Sequence, residues 1–194
     1  MVDFDGEENA TKITRFANYL RIVLPGSDPQ VMALSAKALG RLALVGGTLT
    51  VDFVEFEVKR ALEWLQGDRI ETRRQAAVLV LKELVENAPT ILYAYVSNII
   101  DLIWIPLRDP KVTIREIACE TLAACLVIIA QRDNSIRITW YQKLIEEIFK
   151  GFKGSLDYIH GSLLALAEML LHTRHVQVNA YSSLLMMDIE RFVR

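Results

Sequence analysis

The sequence predicts an all-α fold in which helical hairpins stack side by side as an α–α superhelix. Apolar residues follow helical spacing along nearly the whole chain, and turn residues such as Pro25, Gly67 and Pro110 separate the helical segments. No alternating run bounded by turns and no Asn-Gly pair indicates strands. The pattern also recurs about every 41–45 residues, which favours a repeat architecture over a single layered domain.

One helix of each unit is rich in small and aliphatic residues. These helices align on anchor positions that lie 42, 41 and 45 residues apart, namely Val31, Arg73, Ile114 and Ile159. The positions eight and eleven residues after an anchor share one stripe of a helix and are mostly apolar. From this stripe we predict the shared repeat core: Leu39, Leu42, Leu81, Leu84, Leu122, Cys125 and Leu170.

Each of these helices is preceded by another helix that is richer in aromatic residues. The four segments are ITRFANYLRIVL, VDFVEFEVKRALEWL, TILYAYVSNIIDLIWI and TWYQKLIEEIFKGF. Each unit is therefore predicted to be a hairpin of an outer helix rich in aromatic residues and an inner helix rich in small and aliphatic residues. The period matches the ~40–47 residues that are typical of HEAT repeats. We expect one HEAT solenoid segment over 1–194, with repeats at about 10–47, 48–88, 89–132 and 136–173 and a partial repeat at 176–194.

Two of the units carry an aspartate and an arginine around the start of the inner helix. Asp68 precedes Arg74 by six residues, and Asp109 precedes Arg115 by the same interval. The other two units lack both residues at these positions. We predict a structural ladder in which the aspartate and arginine side chains pair between adjacent repeats. Aspartate near a helix N-terminus is additionally stabilised by about 0.3–1 kcal/mol.

The composition narrows the classes of function. With a net charge of −2 and a pI of about 6.0, the chain has no sustained basic stripe for nucleic acid. The longest uncharged apolar run, residues 122–130, is shorter than the ~20 residues of a transmembrane helix. The acidic start does not resemble a secretory signal, and two cysteines do not indicate a disulfide framework. We therefore expect a cytoplasmic protein. Hydrophobic residues make up 52%, which predicts a long core or a surface that binds a partner.

No motif for catalysis or cofactor binding appears in the sequence. Phosphate-binding loops, nucleophile elbows and kinase catalytic loops are missing, and the three histidines have no cysteine or glutamate at metal-ligand spacing. Cys125 occupies a core leucine position, which favours inert packing over reactivity. We therefore predict no catalytic residue, no metal and no other cofactor in this chain.

Several segments are more particular than helical repeats require. RFANYLR (15–21), VEFEVKRALEWL (54–65), RRQAAVLVLKEL (73–84), DPKVTIREIACETLAACL (109–126) and IHGSLLALAEML (159–170) occur in this order. Together they closely resemble the amino-terminal HEAT region of the target of rapamycin (TOR) protein kinases, from about residue 10 to about residue 171. The string VEFEVKRALEWL is the most specific part of the likeness, since the repeat period alone does not demand it.

The resemblance implies a function that periodicity does not show. TOR proteins are very large serine/threonine kinases with their catalytic domain towards the carboxyl end, so this chain is expected to be a non-catalytic scaffold fragment of a longer solenoid. The implied partners are a raptor-type regulatory subunit, the rest of the kinase chain and, in animals, a small GTPase, within a dimeric complex. The implied location is the cytoplasm with peripheral association to lysosomal or vacuolar membranes. The alternative is a stand-alone HEAT adaptor of another class, such as a transport or phosphatase scaffold.

Overall fold

The computed structural model describes residues 7–26, 28–45, 50–67, 70–132 and 136–173. Within these ranges the chain is helical almost throughout and contains no strand, which confirms the all-α fold class. Two features predicted from the sequence lie outside the described residues: Asp68 of the ladder and the partial repeat at 176–194.

The helices alternate between an outer and an inner layer. The outer layer comprises α1 (Glu7–Val23), α3 (Thr50–Gly67), the three short helices α5 (Pro89–Leu92), α6 (Val96–Leu102) and α7 (Trp104–Leu107), and α9 (Ile136–Gly151). The inner layer comprises α2 (Pro29–Val45), α4 (Glu71–Asn87), α8 (Val112–Ala130) and α10 (Leu156–Thr173). Short 3-10 turns cover Leu24–Gly26 and Tyr93–Tyr95.

The third outer helix is interrupted, whereas the sequence predicts one continuous helix there. Pro89 starts α5 at a position where its missing N–H costs nothing. A 3-10 turn then separates α5 from α6. Pro106 cannot donate to the carbonyl oxygen of Leu102 and its ring crowds that group, so α6 ends at Leu102 and α7 follows it.

The inner helices carry the stacking between units. Each of them packs most extensively on the next inner helix, α2 on α4, α4 on α8 and α8 on α10, while contacts between successive outer helices are slighter. α8 lies between two inner neighbours and beneath its own outer helix, which explains why it is apolar nearly all round. The unit-by-unit stacking buries one continuous core along the described chain.

Most of the predicted core residues lie in this core. Exposure is at most 1% for Leu39, Leu81, Leu84, Leu122 and Cys125. Leu42 is partly buried and packs against the core. The structure differs from the predicted core at Leu170, which is 46% exposed. α10 buries the neighbouring Met169 instead. Adjacent residues differ by about 100° around a helix, so an alignment that is one residue out turns a core side chain towards the surface.

Two glycines in the described helices permit close approaches between units. A Cβ at Gly161 of α10 would lie 1.7 Å from the carbonyl oxygen of Leu107, and one at Gly40 of α2 would lie 2.8 Å from the Cβ of Glu83. Sequence reasoning missed both positions. The available signal was a glycine inside a helix, which costs about 1 kcal/mol relative to alanine and so indicates a packing requirement.

Candidate interaction surface and the contacts that hold it

Arg74 and Asp109 form the ion pair that links the second unit to the third. Arg74 Nε donates to Asp109 Oδ2 at 2.6 Å, and the carboxylate is almost fully buried. The other oxygen, Asp109 Oδ1, accepts the backbone N–H of Lys111 at 2.9 Å and so fixes the turn before α8. One carboxylate therefore holds the neighbouring unit and shapes its own helix start.

Arg115 links the third unit to the fourth through different partners. Its Nη1 donates to Asp157 Oδ1 at 2.7 Å and to the backbone oxygen of Asp109 at 2.6 Å. Its Nε donates to His160 Nδ1 at 3.0 Å. The arginine meets Asp109 through the backbone rather than the carboxylate, and its acidic partner is Asp157. Repeat alignment does not identify Asp157, because the position five residues before the anchor of the fourth unit is Gly154.

Replacing Arg115 with alanine is expected to lower the free energy of unfolding by about 1–3 kcal/mol. The guanidinium is nearly buried, and its loss leaves the backbone oxygen of Asp109 without this donor. Urea denaturation followed by circular dichroism measures the change. Arg115→Lys tests whether the planar guanidinium is needed in addition to its charge. Lysine keeps the charge but lacks the planar group that donates to several acceptors at once. An Arg115→Ala variant that unfolds like the parent would rule out a stabilising role for these contacts.

A buried carboxylate joins the first unit to the second. Glu57 of α3 is fully buried and accepts Arg21 Nε of α1 at 2.5 Å; it also pairs with Arg60 of its own helix. The guanidinium of Arg21 lies 4.4 Å from the centre of the Phe56 ring, and that of Arg60 lies 4.8 Å from the Trp64 ring. Burial holds the pKa of Arg60 below its ordinary value, and the positive charge of Arg21 lowers it further while Glu57 opposes both.

This cluster gives a physical reason for the string VEFEVKRALEWL. Phe56, Glu57, Arg60 and Trp64 all lie within it, and each contributes a side chain to the cation–carboxylate–aromatic cluster. Repeat periodicity did not identify Glu57, because an acidic residue within a charged helix looks like a solvated one. The position of Arg21 on the preceding helix is what turns it into a buried inter-unit contact.

The two cysteines are buried thiols in α8, with no disulfide. Burial raises the pKa of Cys125 to about 12, and burial with a smaller contribution from Glu168 raises the pKa of Cys119 to about 12. Both thiols therefore stay protonated far above neutral pH. Since the thiolate is the reactive species, both are expected to be unreactive in the folded chain.

We therefore expect both thiols to react slowly with Ellman's reagent at about pH 8 in the folded chain and rapidly after unfolding in urea. The absorbance of the released thiolate measures the number of reacted cysteines. Rapid native reaction of Cys125, identified by a Cys119→Ser variant, would contradict its core position.

An open groove lies where the third outer helix meets the fourth unit. It has a volume of about 480 Å³ and is bordered by α6, α7, α9 and the start of α10. The guanidinium of Arg108 spans the rings of Trp104 and Tyr158 at 5.3 and 5.0 Å and pairs with Glu147 at 3.0 Å. The opposite charges balance in this groove, so it has no net preference for an acidic or a basic partner.

A second groove crosses the inner layer over α4, α8 and α10. Its volume is about 630 Å³, and apolar side chains of α8, including Ala124 and Val127, form much of its lining. Glu86, Glu120 and Glu168 also line it. This acidic groove, as we name it, combines apolar surface with an excess of negative charge and is the strongest candidate for binding another protein.

The described residues contain no cluster of histidine, cysteine, aspartate or glutamate that could hold a metal ion. None of the helices in the described ranges combines the length and apolar character needed to cross a bilayer.

Comparison with known proteins found relatives over most of the chain. It is 46% identical over 170 residues to the serine/threonine-protein kinase tor1 of Schizosaccharomyces pombe, which covers 87% of this chain and 7% of that kinase. It is 45% identical over 177 residues to the serine/threonine-protein kinase TOR of Arabidopsis thaliana, covering 90% of this chain and 7% of the relative. The Drosophila melanogaster kinase mTor is 32% identical over 200 residues, 95% of this chain and 8% of the relative.

No family model matches the chain. The chain spans less than a tenth of the length of the relatives above, so the likeness concerns one short segment of each. Identity of 45–46% over about nine-tenths of this chain nevertheless leaves no doubt about common ancestry with that segment. By sequence, the chain belongs to the TOR serine/threonine-protein kinases, as a segment of them.

Proposed function

We propose that the chain is a non-catalytic scaffold segment of a TOR kinase, which supplies rigid spacing and surface for binding other proteins. The observation that carries the proposal is homology over nine-tenths of the chain to a segment that makes up about 7% of TOR kinases. The stacked helices support a scaffold role, because each unit is held to the next by buried side chains and charged pairs such as Arg74–Asp109.

The proposal extends to partners and location. The segment contacts a raptor-type regulatory subunit and other parts of the kinase chain, and in animals a small GTPase, within a dimeric complex. That complex works in the cytoplasm, with peripheral association to lysosomal or vacuolar membranes. The acidic groove supports a protein-binding role, since it offers apolar surface and charge on one face of the inner layer.

The first test is the size of the native protein that carries this segment. An antibody raised against residues 54–84 is applied to a cell extract, and we expect a band far above the 22.0 kDa of this chain. Immunoprecipitation with the same antibody should recover protein-kinase activity and a raptor-type subunit. Antibody pre-absorbed with the 54–84 peptide is the control.

A single band near 22.0 kDa would overturn the proposal in favour of a stand-alone HEAT adaptor. A large band that carries kinase activity but no regulatory subunit would retain the kinase segment and reject the raptor-type partner. Fractionation of the same extract tests the location, because a wholly nuclear or secreted antigen would contradict it.

A further inference from the structure

The acidic groove has a shape suited to an inserted apolar side chain. Ala123 and Ala124 on α8 are small, so the surface is depressed between α4 and α10. Val85 and Ile128 line the depression, and Val127 remains 40% exposed beside it. Val85 and Ile128 are themselves buried, whereas the exposed apolar surface of Val127 is stabilised when a partner covers it.

Negative charge predominates around this depression. Of the three lining glutamates, Glu120 already pairs with Lys82 at 2.5 Å, and Glu168 lies 3.6 Å from His172. Lys82 and His172 are the basic side chains in the lining, so its three carboxylates outnumber them.

The pKa values of two residues at or beside the groove depart from their ordinary values. The pKa of Lys82 is raised, first by its hydrogen bond to Glu120 and also by the charges of Glu86 and Glu83. The pKa of Glu83 is raised by burial and by the neighbouring carboxylate of Glu86. The contributions of Glu120 and Glu86 to the raised pKa of Lys82 indicate negative charge at this groove.

Building on the proposed protein-binding role, we propose that the acidic groove binds an amphipathic segment of a partner protein. Leucine-like side chains of that segment fill the depression over Ala124 and Val127, and flanking lysine or arginine side chains pair with Glu86 and Glu168. Charge complementarity selects this occupant, because an acidic segment or nucleic acid would be repelled by the same carboxylates.

The test uses the 194-residue chain and a fluorescein-labelled amphipathic probe, LKKLLKLLKKLLKL, titrated by fluorescence anisotropy. The matched probe LEELLELLEELLEL has the same apolar pattern with reversed charge. We expect the lysine probe to bind and the glutamate probe to bind at least about tenfold more weakly. Equal binding of both probes, or no binding of the lysine probe, would overturn the proposal.

Three variants localise the binding. Glu86→Lys is expected to weaken the lysine probe about tenfold, while Glu146→Lys makes the same charge change on the exposed surface of α9 and should alter binding less than about twofold. Val127→Asp separates packing from charge. The added carboxylate by itself would make the lysine probe bind more tightly, whereas loss of the apolar contact would make it bind more weakly. We expect weaker binding.

Tighter binding to Val127→Asp, or equal losses in Glu86→Lys and Glu146→Lys, would mean unspecific attraction and reject the groove. Val127→Ser removes apolar surface without adding charge and replaces Val127→Asp if thermal melting shows that the latter is unfolded. Light scattering tests a second copy of the chain as the occupant: a dimer that Val127→Ser dissociates would overturn the proposal. These readouts use the isolated chain, so their failure is distinct from failure of the antibody experiment.

Discussion

Replacing Leu122 with alanine is expected to lower the free energy of unfolding by about 2–5 kcal/mol. Leu122 is 1% exposed at the middle of α8, which is packed between α4 and α10. Truncation removes three carbon atoms from a buried position on a helix that packs against α4, α7 and α10. Those helices cannot all close around the cavity, so the loss includes both transfer and cavity contributions.

Urea denaturation followed by circular dichroism and by tryptophan fluorescence measures this effect. The two probes should give coincident transitions if the described units unfold together, which repeat arrays do not always do. Leu163→Ala on α10 is the matched control, because Leu163 is 53% exposed and should change stability by less than about 0.5 kcal/mol. Equal effects of the two substitutions would show that Leu122 is not part of the core.

Replacing Glu57 with glutamine is expected to cost about 3 kcal/mol, at the lower end of the 3–5 kcal/mol seen when one partner of a buried ion pair is removed. Glutamine has the size of glutamate but no charge, so Arg21 and Arg60 would face each other without a neutralising carboxylate. The lower end applies because the two arginine side chains keep 19% and 14% exposure and remain partly hydrated.

Two comparisons make the Glu57 result specific. Glu55→Gln removes the same charge two residues away, where the carboxylate pairs with the exposed Lys59, and should leave stability close to that of the parent. Adding Arg21→Gln to Glu57→Gln should recover part of the loss, since only one unpaired guanidinium then remains. A double variant that is no more stable than Glu57→Gln alone would contradict a charge origin.

Much of the core could be predicted from the sequence, because it depends on short-range periodicity. Leu81, Leu84 and Leu122 face inward because apolar residues at helical spacing share one stripe, which holds in any packed helix. The prediction depended on correct register within each unit. At Leu170 an error of one residue was enough to exchange an exposed side chain for the buried Met169.

The ion pairs show where sequence reasoning stops. The spacing of Asp109 and Arg115 indicated that aspartate and arginine matter at the inner helix starts. The pairing itself runs from Arg74 to Asp109 and from Arg115 to Asp157, across 35 and 42 residues. Such partners depend on how far one unit is rotated and shifted against the next, which no local pattern encodes.

The helical class, the repeat period, the apolar stripe and the kinship with TOR kinases can be read from the amino-acid order alone. These properties follow from residue order along one chain, through helical spacing and shared ancestry. The tertiary structure alone decided that Glu57 is a buried link between units, that Gly161 lies against a neighbouring backbone and that Glu86 and Val127 share one groove. Ion pairing, close approach and groove shape depend on the distance between helices that are far apart in sequence, and stacking of the units sets that distance.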